Sequence, residues 1–377
     1  MKYPLCHCMN VFPGITPKEK MRAFEEFLPV IRGKVPAVDG PFPAGLWLDA
    51  PTVSMLKKQH LEKDFAARIR DLGFYAYTAN AFPYGVFHGT TVKTAVYHPD
   101  WTTQDRLEYT CAVADILALL LPEEQAGSIS TLPGGYGPEF PETLWRDAAE
   151  HLLQAGDHLR RLYDRTGRRI RLAVEMEPDC AWESPREFLA FYDRYMRGDD
   201  RADWVGVCYD TCHQELLGDE PGSGYRLLQS AGVPIPKIQL SAALRAEGEA
   251  SKERLAAEFT DGVYLHQTRI PSVSGGMEKK YADLPDALAD RANRDRTWIS
   301  HYHVPVFADE IAPGLYAEKK ELHAVLEAWK VAPEGVNLEL ETYTYDVMPA
   351  HLKEGGREHA MAREMRYVLS ILEGCEI

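Results

Sequence analysis

The sequence predicts an α/β fold, a closed (β/α)8 barrel with an insertion between its seventh and eighth strands. Three observations point there. Short apolar runs alternate with longer amphipathic stretches eight times along the 377 residues. Strand–helix units repeated in this way imply parallel strands joined by right-handed crossovers. No GxGxxG follows the first apolar run, which disfavours the competing doubly wound open sheet.

LCHCMNVF (5–12) reads as the first strand, and Thr16-Pro17 opens a helix to about residue 32, with proline in the first turn. AGLWLDA (44–50) is the second strand, with a helix over 51–70. FYAYTANAF (74–82) is the third, with a helix near 103–121. SISTLPGGYG (128–137) is the fourth, running into a glycine loop before a long helix over 144–167 that ends at Gly167. IRLAVEMEP (170–178), WVGVCYDTCHQ (204–214) and PKIQLSAAL (236–243) are the fifth to seventh strands. NLELETY, from Asn337, is the eighth, and a helix over 357–373 closes the chain. The whole of 1–377 thus reads as a single barrel domain, with 244–330 inserted. That insertion holds two strand-like pieces, 263–270 and 297–307, which periodicity assigns neither to the barrel nor to a lid.

Bulk properties narrow the function. A net charge of −15 repels phosphate backbones, so nucleic-acid binding is not expected. Seven scattered cysteines do not form a disulfide framework, and a reducing cytoplasm fits them. The N-terminus shows no apolar signal region, and no run of about eighteen apolar residues predicts a membrane span. The expected partner is a small molecule, with a homodimer the expected assembly for such a barrel.

In a strand, side chains alternate between faces, and barrel active sites form at the C-terminal strand ends. Glu175 and Glu177 share one face of the fifth strand, and Asp210 ends the sixth. Lys237, Gln239 and Ser241 share a face of the seventh, and Glu339 and Glu341 of the eighth. Carboxylates crowded into an interior repel one another and take up protons, a conflict that a bound divalent cation removes. Glu177, Asp210 and Glu341 are the candidate ligands, with one neutral group: Gln239, His303 or His266. Such a set suits Mg, Mn or Co, whereas thiolates would favour Zn. The plainer alternative is that each inward acid pairs with Lys237 or an arginine.

Other candidates have ordinary readings beside functional ones. His213, three residues after Asp210, orients a substrate or caps the next helix. His301 points the same way as His303 and, with His266, could meet a substrate. Lys93, in a stretch flanked by His88 and His98, could bind an anionic group or be a solvated loop lysine. Lys237 could meet a substrate or neutralise an acid. Cys6, Cys8, Cys208 and Cys212 could form a thiolate zinc site, although buried free cysteines are common core residues. PGGYG (133–137) could offer backbone N–H groups to a substrate oxygen or form a tight loop. Phe82, Tyr84 and Trp101 could wall a substrate, while Tyr75 and Tyr77 fit the core. There is no GxSxG and no P-loop.

VEMEPD, GVCYDTCH, KIQLSAAL and LELETY resemble the motifs of xylose-isomerase-like TIM barrels. The resemblance implies a metal set with a Glu on strand five, an Asp in D-x-x-H on strand six, a His or Gln on strand seven and a Glu on strand eight. Glu177, Asp210 with His213, and Glu341 match it. It implies isomerisation or epimerisation of a polyhydroxylated carbonyl compound, with Glu177 and Glu341 moving the proton. A non-catalytic metabolite binder and an endonuclease-IV-type phosphoesterase are the alternatives. KTAVYHPDW, ISTLPGGYG, YLHQTR and HYHVPVF are similar, more narrowly, to the EboE-type metabolite traffic proteins of ebo operons. Strand seven departs from the usual H-x-H-x-x-D; the histidine pair stands about sixty residues later, at His301 and His303.

Overall fold

A computed structural model describes residues 3–36, 39–87 and 91–374. Eight strands run parallel: β1 (Cys6–His7), β2 (Phe42–Trp47), β3 (Phe74–Asn80), β4 (Gly127–Thr131), β5 (Ile170–Glu175), β6 (Val205–Asp210), β7 (Lys237–Leu240) and β14 (Asn337–Leu340). Their order is β1-β14-β7-β6-β5-β4-β3-β2. A parallel bridge from Cys8 to Gly45 brings the two ends together, so the sheet is a nearly closed barrel. That seam needs glycine, because a Cβ on Gly45 would lie 1.9 Å from Glu339 Oε1 and 2.8 Å from the His7 carbonyl. Among the described residues, no helix is long and apolar enough to cross a membrane.

Helix boundaries follow local chemistry. Thr16, Thr103 and Ser184 accept backbone N–H bonds at helix starts, and Ser184 forms a capping box with Glu187. Gly167, at φ 70°, ends Trp145–Thr166 in the left-handed region. The predicted helix over 51–70 is two helices, Ala50–Gln59 and Glu62–Asp71, because His60 adopts φ 56° between them.

The chain between β7 and β14 builds a second sheet. Its strands are β8 (Ala243–Ala246), β9 (Thr268–Pro271), β10 (Met277–Tyr281), β11 (Trp298–Ser300), β12 (Glu310–Ala312) and β13 (Leu315–Glu318). They are antiparallel in the order β10-β9-β11-β8-β13-β12. The predicted seventh strand therefore splits: 237–240 stays in the barrel and 243–246 joins the new sheet. Helix Lys320–Val331 then leads back to β14.

Inside the barrel, Lys237 corrects a sequence expectation. It does not line a ligand cleft. Its Nζ lies 2.6 Å from Glu339 Oε2, with both side chains fully buried, and 2.9 Å from Ser130 Oγ. Burial, the largest single influence, would lower its pKa, but the charge and hydrogen bond of Glu339 together with smaller neighbouring contributions raise it. The plain reading, a lysine neutralising an inward acid, thus holds for this one glutamate. Lys237→Met should strand Glu339 and cost about 3–5 kcal/mol in urea unfolding. Adding Glu339→Gln should restore most of that loss.

Candidate active site

At the C-terminal mouth of the barrel, acids meet with no such counter-ion. Glu175 ends β5, Asp210 ends β6 and Glu341 follows β14. One carboxylate oxygen from each lies within 4.8 Å of the others. None of the three forms an ion pair with lysine or arginine among the described residues. The sequence paired Glu177 with Asp210 and Glu341; the structure brings Glu175 there. Both glutamates obey the strand alternation, so periodicity alone cannot choose between them.

Each acid is held by neighbours. Asp210 Oδ1 caps the following turn, accepting from Cys212 N (2.8 Å), His213 N (3.2 Å) and Ser241 Oγ (2.6 Å). Glu341 Oε1 accepts from Asn10 Nδ2 (2.7 Å) and Asn80 Nδ2 (2.9 Å), and Gln239 Nε2 donates to its other oxygen. Gln239 also accepts from Cys208 Sγ at 2.8 Å, so both ends of its amide are engaged. It therefore braces Glu341, which corrects its reading as a ligand.

His303 is the nitrogen donor. Its Nδ1 lies 2.8 Å from the Glu341 carbonyl, an acceptor, so Nδ1 carries the proton and Nε2 the lone pair. His303, Asp210 and His213 each place one donor atom within 4.8 Å of the other two. Three buried atoms here have no hydrogen-bond partner: Glu175 Oε2, Asp210 Oδ2 and His303 Nε2. Orphaned atoms of this kind, two on carboxyls and one on a neutral imidazole, fit a divalent cation. Glu175, Asp210, Glu341 and His303 are the residues that could hold it. Burial, then like charge, raises the pKa of Glu175 and of Glu341 well above the carboxylate range.

Glu177 stands beside this group. Its carboxyl accepts from Tyr97 OH at 2.8 Å and clusters with His213 and His301. Burial pushes its pKa up to about 8, against the opposing hydrogen bond from Tyr97. His213 Nδ1 faces the Met176 carbonyl at 3.0 Å, and His301 Nδ1 faces Gln267 Oε1 at 2.7 Å. Their Nε2 atoms lie 3.1 Å apart at the cleft. Burial lowers the pKa of His213 to about 4 and takes His301 well below its usual range, so both are neutral at pH 7.

The segment after the second sheet's β11 delivers His301 and His303, whereas His213 comes from the turn after β6. His301 follows β11 and its N–H bonds the Gln267 carbonyl at 2.8 Å, while Val304 N bonds the Ala242 carbonyl at 3.1 Å. His266 does not reach the cleft: its nitrogens are taken by Asp261 (2.6 Å) and the His301 carbonyl (2.9 Å). Lys93 lines the cleft, but Asp283 neutralises it. His88 lies outside the described residues. The glycine loop spends its N–H groups on main chain, Gly135 on Pro133 and Gly137 on Asp179. Among the described residues, no metal-competent cluster contains more than one cysteine, which removes the thiolate zinc site.

The sign of the glutamate shifts has a thermal consequence. Glu177 holds its proton more tightly in the folded state, so its contribution to stability is complete below its unfolded pKa of 4.5 and is lost as pH rises through about 8. Glu175 and Glu341 act in the same direction. After EDTA treatment, the melting temperature should fall from pH 5 to about pH 8.5, and Glu177→Gln should flatten that fall.

The sequence pattern of the xylose isomerase-like TIM barrel family matches residues 47–295. No curated protein matches the chain. Solved structures resemble its fold at low identity. An L-ribulose 3-epimerase aligns with TM-score 0.51 and 14% identity, over 98% of this chain and 94% of its own. A xylose isomerase-like TIM barrel protein from Mycobacterium smegmatis, in complex with magnesium, gives 0.54 and 12%, over 99% and 97%. The IOLI protein with a binding zinc atom gives 0.53 and 11%, over 99% of each chain. Eight parallel strands, acids at their C-terminal ends and a pattern matching well over half of the chain place this protein in the xylose isomerase-like TIM barrel family.

Proposed function

We propose that this protein is a divalent-cation-dependent isomerase or epimerase acting on a hydroxy-carbonyl compound. The observation that carries this reading is the set of orphaned donor atoms on Glu175, Asp210 and His303 beside Glu341, at the mouth where barrel enzymes work. A bound cation would supply Lewis acidity toward a substrate carbonyl. The sugar epimerase among the similar folds supports the reaction class.

The chain's own groups divide the work. Glu177 lines the cleft and, when ionised, accepts the proton on the carbon next to the carbonyl. Tyr97 fixes the orientation of that carboxyl. His213 Nε2 accepts a hydrogen bond from a substrate hydroxyl. Glu341, held by Asn10, Asn80 and Gln239, is the second carboxyl and, when protonated, gives its own proton to the opposite face while Glu177 keeps the one it took. The likeness to EboE-type metabolite traffic proteins supports a substrate from secondary metabolism.

A binding protein without catalysis is the second reading, favoured by the apolar mouth of the same cleft. Solvent exchange separates the two. Manganese-loaded protein in D2O should place deuterium next to the carbonyl of a hydroxyketone. Glu177→Gln should slow this by about 10²–10⁴-fold while retaining the metal. Metal bound with no exchange on any hydroxy-carbonyl compound would leave the binding reading.

A further inference from the structure

The cleft, about 520 Å³ with its open mouth included, has two unlike halves. Its floor holds Glu175, Glu177, His213, His301 and Glu341. Its wall holds Phe82, Val92, Val96, Tyr264, Leu265 and Tyr343. The rings of Tyr264 and Tyr343 meet edge to face at 5.0 Å, and Phe87 lies 5.2 and 5.6 Å from them. The polar side chains of this wall each already have a protein partner. Tyr264 OH donates to the Phe87 carbonyl at 3.2 Å, Tyr343 OH lies 3.4 Å from His301 Nε2, and Lys93 is paired with Asp283. Tyr97 OH is spent on Glu177.

We infer that the substrate carries its oxygens at one end and a flat apolar body at the other, as in an aryl-substituted hydroxyketone, and is not a free sugar. The inference rests on the proposed reaction for the oxygenated end; the apolar end stands on the wall alone. A sugar bears hydroxyls around its whole ring. A face laid on tyrosine would still direct hydroxyls at its edge toward Val92, Val96 and Leu265, side chains with neither donor nor acceptor. Each hydroxyl desolvated without a partner lowers affinity by about 5- to 100-fold. An aryl or alkyl body loses nothing there and gains contact with the rings. The arrangement also orders the ligand, since only its oxygenated end finds partners on the floor.

Calorimetric titration of manganese-loaded protein with 1-hydroxy-1-phenylpropan-2-one and with the free ketoses fructose and ribulose tests this. The aryl hydroxyketone should bind at least about tenfold more tightly than either ketose. Val96→Asn and Leu265→Asn, both at half-buried wall positions on different segments, should each weaken it by about tenfold and spare the ketoses. Should one variant fail to fold, the other carries the comparison. A ketose binding as tightly as the aryl compound, no binding of the aryl compound, or variants that leave its affinity unchanged would overturn the inference. Deuterium exchange is read separately: preferential aryl binding without exchange sinks the isomerase reading and leaves this one standing.

Discussion

The structure turns on buried negative charge that has no positive side chain to answer it. Two tiers of acid point into the barrel. In the lower tier, Glu339 has Lys237 at 2.6 Å and is a closed electrostatic unit. In the upper tier, Glu175, Asp210 and Glu341 have only hydrogen-bond donors and neutral imidazoles around them. Burial and mutual repulsion disfavour the ionised forms of Glu175 and Glu341, so these two are either protonated or answered by a cation. The donor chemistry favours the cation, because His303 is held with its proton on Nδ1 and its lone pair turned into the same space.

That arrangement explains the second sheet. β7 contributes Gln239 to the mouth and the residue just after it is Ser241; both serve as braces, one for Glu341 and one for Asp210. The nitrogen donors come instead from the segment after β11, tied to the barrel by the bond from Val304 to Ala242. The same inserted chain supplies Tyr264 and Leu265 to the cleft wall. One excursion from the barrel thus provides His303 and part of the apolar surface above it.

The barrel was legible because its signals are local. Period-two runs, capping residues such as Ser184 and the helix-ending Gly167 each act within a few positions. Asp210, Glu341, His213 and the pair His301 and His303 were legible for the same reason, standing at strand ends or in a short alternating motif. What stayed hidden depends on where chains end and what they meet. Glu175 and Glu177 are equivalent by alternation, and only the end of β5 at Glu175 separates them. Lys237 and Gln239 looked available until the parallel register with β14, which sets Asn337 beside Lys237 and Glu339 beside Gln239, brought each within reach of the acid two residues further on, Glu339 and Glu341. His266 was lost to Asp261, five residues away, through a turn that no periodicity encodes. The antiparallel pairing of β8 with β11 and β13 joins segments more than fifty residues apart, beyond the reach of local pattern.

The central claim is that one cation answers the upper tier of acids. Anomalous diffraction at the manganese edge, from crystals grown with manganese, tests it most directly. The account predicts a peak bonded to Glu175, Asp210, Glu341 and His303 Nε2. A density map with no peak there, and with Glu175 and Glu341 protonated and hydrogen-bonded to neighbouring oxygens, would contradict it.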